Sequence, residues 1–203
     1  MPTADLPIVP GASAASVASS VTWTPSTDHM VHGKRYAFFL RESLADPSPT
    51  YYTDILKSAT SKVYIWDPYF WSADTAIFDC FRHQVEVTVL TSKSKQKTTY
   101  LQELIDETSN QLDPSAAGST FKFGFIDTDK YGKQVLKSHD RFLILDDNEC
   151  YLIGASVEYH RRTMESTGIY HIEHQKDRDV IKAAFNKVLA ICERDGTCKI
   201  ETI

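Results

Sequence analysis

Two short apolar runs split by four polar residues set the first constraint on this chain: Phe142-Leu143-Ile144-Leu145, then Asp146-Asp147-Asn148-Glu149, then Cys150-Tyr151-Leu152-Ile153. Unbroken apolar runs of this length around a cluster of turn-forming residues read as two strands joined by a tight hairpin. His139 and Arg141 stand at the head of the first run, two positions apart, so on a strand they project from the same face. An imidazole beside a guanidinium makes a phosphate site: arginine offers a rigid donor fork to phosphate oxygens, and histidine attacks phosphorus or carries a proton. Asp146, seven positions from His139, falls on the opposite face and reads as a carboxylate that stabilises the turn or supports the site from behind. Arg141 also has a plainer reading, as an arginine at the edge of the core paired with Asp67 or Glu158.

The rest of the chain supplies strands and helices in alternation. Tyr36 to Leu40 is an apolar run, either an edge strand or the start of a helix. Tyr52, Ile55, Leu56 and Ala59 recur at helical spacing and lead into the strand Val63 to Trp66, which Asp67-Pro68 ends. Ala73, Ala76, Ile77, Cys80 and Phe81 mark a second short helix with Ser72 as its N-cap. Val85, Val87 and Val89 carry the next strand; Leu101, Leu104 and Ile105 carry a helix after the capping-box spacing of Thr99 to Gln102. Phe121, Phe123 and Phe125 alternate as a third strand, and Gly168 to Ile172 reads as another after the hairpin. Val180, Ile181, Ala184, Phe185, Val188 and Leu189 form the longest amphipathic stripe, which ends the order of elements in a final helix. This order predicts an α/β fold, a mixed β-sheet flanked by helices on both faces, with ligands collecting beyond the strand ends.

With 203 residues and 42% hydrophobic content, the chain can bury one good core. Residues 1–28 carry four prolines and an Ala/Ser run without apolar periodicity, so the expected division is a flexible arm over 1–28 and one domain over 29–203. The arm lacks the basic start and apolar stretch of a signal peptide, and no segment approaches the roughly eighteen apolar residues of a membrane span. The expected setting is soluble and cytoplasmic. Cys80, Cys150, Cys192 and Cys198 show no metal-ligand spacing, and no cofactor is expected. Cys192 and Cys198 flank a turn and could bridge if it folds back, although reduced thiols are the expectation without a secretion signal. The net charge of −5 argues against a protein that coats nucleic acid by bulk electrostatics. Local basic clusters remain: Lys93, Lys95 and Lys97; Lys130, Lys133 and Lys137; Arg161 and Arg162. Each alone is an ordinary solvated face; their shared position beside the histidine and arginine makes a basic rim.

The spacing His139-x-Arg141-x4-Asp146, followed by Gly154-Ala155-Ser156, resembles the HKD motif of the phospholipase D superfamily, His-x-Lys-x4-Asp then Gly-Ser and an Asn. Arg141 stands in place of the lysine, Ala155 separates Gly154 from Ser156, one extra residue precedes Gly154, and no Asn follows. Val63 to Tyr69 and Val85 to Ser92 resemble the first strands of a phospholipase-D-like half, so the resemblance spans roughly residues 50 to 190. It implies a phospholipase-D-like fold and a metal-independent phosphodiesterase, foremost a nuclease, acting through a phosphohistidine. The implied catalytic set is His139, Arg141, Asp146, Ser156 and Glu158, with Asp67, Lys93, Lys137, Gly154 and Arg161 holding substrate. The superfamily pairs two such motifs, whereas this chain carries one, which implies a homodimer with a composite site. Nucleic acid is preferred to lipid as the phosphodiester. The alternative is a noncatalytic phosphate-binding or interaction module: the same residues also resemble the lipid-associated phospholipase-D-like domain of a mammalian MIT-domain protein.

Overall fold

The structure is a computed structural model, and it describes residues 30–31, 34–39, 50–92, 99–127, 141–154 and 167–203. Among the described residues nine strands, β1 (Met30–Val31), β2 (Lys34–Phe39), β3 (Lys62–Trp66), β4 (Glu86–Thr91), β5 (Thr120–Phe125), β6 (Arg141–Leu145), β7 (Glu149–Ile153), β8 (Thr167–His171) and β9 (Cys198–Thr202), form a single sheet in the order β1-β2-β8-β7-β6-β3-β4-β5-β9. β3, β4 and β5 run parallel and the other pairings are antiparallel, so the sheet is mixed. Among the described residues, α1 (Thr50–Lys57), α2 (Thr99–Gln111) and α3 (Gln175–Arg194) cover it, together with a 3₁₀ helix over Ser72–Cys80.

Strand alternation sends two sets of side chains to two cores. Val63, Ile65, Val87, Val89, Phe121, Phe123, Leu143 and Leu145 face α1, α2 and the 3₁₀ helix, where Leu56, Phe78, Phe81 and Leu104 are buried against them. Phe78 anchors that face through ring contacts with Phe70, Phe81 and Phe121. On the opposite face Trp66, Leu90, Ile144 and Cys150 pack under Phe185, Val188 and Cys192 of α3. Tyr64 and Trp66 meet the Phe185 ring edge-on at 5.3 and 6.1 Å. Helices therefore lie on both faces, as the element order predicts.

Three details differ from the sequence expectations or complete them. Tyr36 to Phe39, in the run left open between strand and helix, lies in strand β2 and pairs with β8. Trp71, rather than Ser72, occupies the N-cap position of the 3₁₀ helix, and Asp74 reaches back to accept a hydrogen bond from the Trp71 amide at 3.0 Å. The chain does not end at the final helix: after α3 it turns back as β9, which pairs with β5 at the sheet edge. The strand escaped notice because Cys198 to Thr202 is short and mostly polar, and even its Ile200 is 54% exposed.

Candidate functional site

The strand registers decide which of the sequence candidates meet. β3 and β6 are antiparallel with Trp66 opposite Phe142, which brings Asp67, one step past β3, to Arg141 at the head of β6. β6 and β7 pair Arg141 with Ile153, so Gly154 also arrives at this edge. It lies at the carboxyl ends of the parallel strands, where open α/β sheets collect ligands.

Arg141 is only 8% exposed, and its guanidinium is engaged. Nε donates to Asp67 Oδ1 at 3.2 Å and Nη1 donates to the Gly154 carbonyl oxygen at 3.3 Å. The Arg141 guanidinium carbon lies 5.2 Å from the centroid of the Tyr69 ring, within cation–π range. The plainer reading of Arg141, as an arginine paired with Asp67, is thus part of the arrangement. A buried charge needs such partners, because desolvation without them costs several kcal/mol.

The Asp67 side of the pair is equally fixed. Asp67 N donates to the Leu90 carbonyl at 3.0 Å and Ser92 N to the Pro68 carbonyl at 3.2 Å, so the segment after β3 is tied to the end of β4. Thr91 Oγ1 donates to Phe70 O at 3.1 Å, and the Tyr100 hydroxyl of α2 donates to the same carbonyl. Burial, the largest cause, holds the Tyr100 phenol well above its ordinary range, so it stays a donor. The Tyr69 amide donates to Asp67 Oδ1 at 2.9 Å, closing an Asx-type turn that leaves the Tyr69 ring 46% exposed. Tyr69, Thr91 and Tyr100 were not singled out by the motif. Only the Asp-Pro-Tyr sequence hinted at a turn with an aromatic at its tip.

Asp146 is at the other end of β6, about 17 Å from Arg141 at the usual strand rise of ~3.4 Å per residue. There it clamps the entry to β3: its carboxylate accepts from the amides of Thr60, Ser61 and Lys62 at 2.7 to 2.9 Å and from the Thr60 and Ser61 hydroxyls at 3.0 Å. Desolvation raises the Asp146 pKa, but the amide and hydroxyl bonds prevail and bring it down to about 2. Asp146 and Asp147 have φ of 49° and 61°, and Asn148 N donates to Leu145 O at 2.9 Å, so they are the central pair of a tight turn that favours Asp, Asn and Gly. The structure therefore groups Asp67, Arg141 and Gly154 and sets Asp146 apart from them. His139, Ser156, Glu158, Lys93, Lys137 and Arg161 lie outside the described residues, as does the 1–28 arm.

Among the described residues no group of three or more His, Cys, Asp or Glu side chains could hold a metal ion, and no helix is long and apolar enough to cross a membrane. No family model matches the sequence, and no curated protein matches it either. Solved structures do. NucT from Helicobacter pylori is similar over 78% of this chain and 98% of its own, with 14% identity and a TM-score of 0.50. Nuc from Salmonella typhimurium, a phospholipase D family member, is similar over 84% of this chain and 99% of its own, with 10% identity and a TM-score of 0.48. The likeness to NucT is one of fold, and it agrees with the layers and registers above: the chain has a mixed α/β sheet with helices on both faces.

Proposed function

We propose that the chain is a metal-independent phosphodiesterase that cleaves nucleic acid through a phosphohistidine on His139, in a composite site formed by two copies. The observation that carries this reading is the placement of Arg141. Two residues beyond His139 in sequence, a guanidinium is held rigidly by Asp67 and the Gly154 carbonyl at the strand ends. A fixed positive charge of this kind stabilises a developing phosphorane without reorganising. In the proposed reaction His139 attacks phosphorus and displaces one ester oxygen, and water then releases the phosphate from the imidazole. Ser156 contributes a hydroxyl to the non-bridging oxygens, Glu158 orients an imidazole, and the second copy's histidine protonates the leaving oxygen. Lys93, Lys137 and Arg161 form a basic rim that guides the polyanion.

Tyr69 favours nucleic acid over lipid. Its exposed ring, beside the Arg141 guanidinium, gives a base a flat surface on which to stack, and such stacking contributes about 1–3 kcal/mol per base. The experiment is to denature the protein during turnover of a labelled phosphodiester and look for an acid-labile, alkali-stable label on the histidine-bearing peptide. Label that appears in wild type and vanishes in His139→Ala supports the mechanism; turnover without any such adduct overturns it.

One observation favours a second reading, a noncatalytic phosphate-binding module. Arg141 donates to Asp67 and Gly154 and is almost wholly buried, which suits a structural arginine as well as a phosphate clamp. On that reading phosphorylated ligands bind, His139→Ala weakens binding, and no substrate is turned over.

A further inference from the structure

The carboxyl end of α3 brings two thiols together. Gly196 has φ of 68°, its amide donates to the Glu193 carbonyl at 3.1 Å, and the Thr197 amide donates to the Cys192 carbonyl at 2.8 Å. These bonds, from the sixth residue to the first and from the fifth to the second, define a Schellman ending, which turns the chain back over the last helical turn. The Thr197 hydroxyl adds a bond to the Cys192 carbonyl at 3.2 Å. Thr197 O then accepts from the Phe125 amide at 2.9 Å and Cys198 pairs with Gly124, so β9 begins directly beneath Cys192.

The two sulfurs consequently share a hydrogen bond. Gly124 makes room for them. A Cβ at that position would stand 3.4 Å from Cys198 Sγ and 3.5 Å from Cys192 Cβ, and would collide with Leu90 Cδ2 at 2.7 Å. Both cysteines are free, Cys192 fully buried and Cys198 partly exposed. Cys80 and Cys150 are also buried, but each has its thiol pushed up to about 12 by burial.

We propose that Cys192 and Cys198 are a dithiol modification site that low-molecular-weight disulfides, such as oxidised glutathione, convert to an intramolecular disulfide joining α3 to the edge strand β9. The partly exposed sulfur reacts first. The Cys198 thiolate attacks one sulfur of the oxidant, whose S–S bond breaks, and one glutathione leaves as a thiolate that takes up a proton. The Cys192 thiol then loses its proton to solvent, its sulfur attacks Cys198 Sγ, and the second glutathione leaves. The protein dithiol loses two electrons and the oxidant is reduced to two thiols. The hydrogen bond from Cys192, its largest cause, holds the Cys198 thiol below the usual range and so supplies thiolate for the first step; the same contact, with burial, keeps Cys192 protonated until Cys198 enters the mixed disulfide.

The test uses the full chain, incubated with oxidised glutathione, alkylated under denaturing conditions and digested with trypsin. The expected product is peptide 188–194 linked to peptide 195–199, lighter by two hydrogens than the sum of the free peptides, with Cys80 and Cys150 still alkylated. Cys192→Ser should trap the glutathione adduct on Cys198, and Cys198→Ser should abolish the cross-link. Because Cys198 is partly exposed, Cys198→Ser tests the order of attack even where Cys192→Ser fails to fold: Cys192 should then take up no glutathione, and an adduct on it overturns the order. Cys198 alkylated to the same extent with and without oxidant, or a glutathione adduct in wild type that Cys192 never displaces, overturns the proposal.

Discussion

Removing either partner of the Arg141–Asp67 pair leaves a buried group without its counterpart, and the two substitutions should differ in kind. Asp67→Ala leaves a guanidinium that is 8% exposed without its carboxylate and should lower stability by about 3–5 kcal/mol in urea unfolding. Arg141→Lys keeps the charge but loses the planar fork that reaches both Asp67 Oδ1 and the Gly154 carbonyl. It should cost about 1–2 kcal/mol and reduce phosphodiester turnover several-fold without abolishing it. An Arg141→Lys protein with wild-type unfolding midpoint and turnover would show that neither the fold nor the chemistry uses the fork. His139 and Arg141 could be picked out of the sequence because both are unusual at the head of an apolar strand. The Tyr69 contact could not, because it depends on an Asx turn formed by Asp67 and on the β3–β6 register, which join residues 74 positions apart.

At the scale of elements, the β6–β7 hairpin was legible because Asp-Asp-Asn tolerates left-handed backbone between two apolar runs. Its second function was not. Asp146 locks the hairpin to the segment before β3 through bonds to Thr60, Ser61 and Lys62, more than eighty positions away in sequence. β9 was missed for a related reason: an edge strand half-buried only at the adjacent Cys198 and Lys199 shows no alternation to detect. The clamp predicts a pH dependence. Desolvation is outweighed by the amide and hydroxyl bonds, so the folded carboxyl lies at about 2, below its ordinary 3.8. Its stabilising contribution is therefore complete above about pH 4 and disappears as pH falls through about 2. Asp146→Asn should remove on the order of 1–2 kcal/mol at neutral pH, allowing for solvent screening, and should flatten the loss of stability over that window. Thermal unfolding of both proteins from pH 7 to pH 2 checks this; parallel profiles would refute the clamp.

For the whole molecule, the proposed composite site takes its second imidazole from another copy. In the proposed assembly two identical surfaces beside Arg141 and Gly154 face each other, and the basic rims adjoin on a molecule of net charge −5. Wild-type chains mixed and re-equilibrated with an excess of His139→Ala chains should lose activity in proportion to heterodimer formation, beyond simple dilution. Loss by dilution alone would show independent sites. The most direct measurement for the account as a whole is cleavage of a fluorescent single-stranded oligonucleotide in excess EDTA by wild-type and His139→Ala proteins of matched fold and oligomeric state. The predicted result is cleavage by the wild type that chelator leaves intact and that His139→Ala abolishes. Cleavage that requires an added divalent ion, or that persists in His139→Ala, would contradict it.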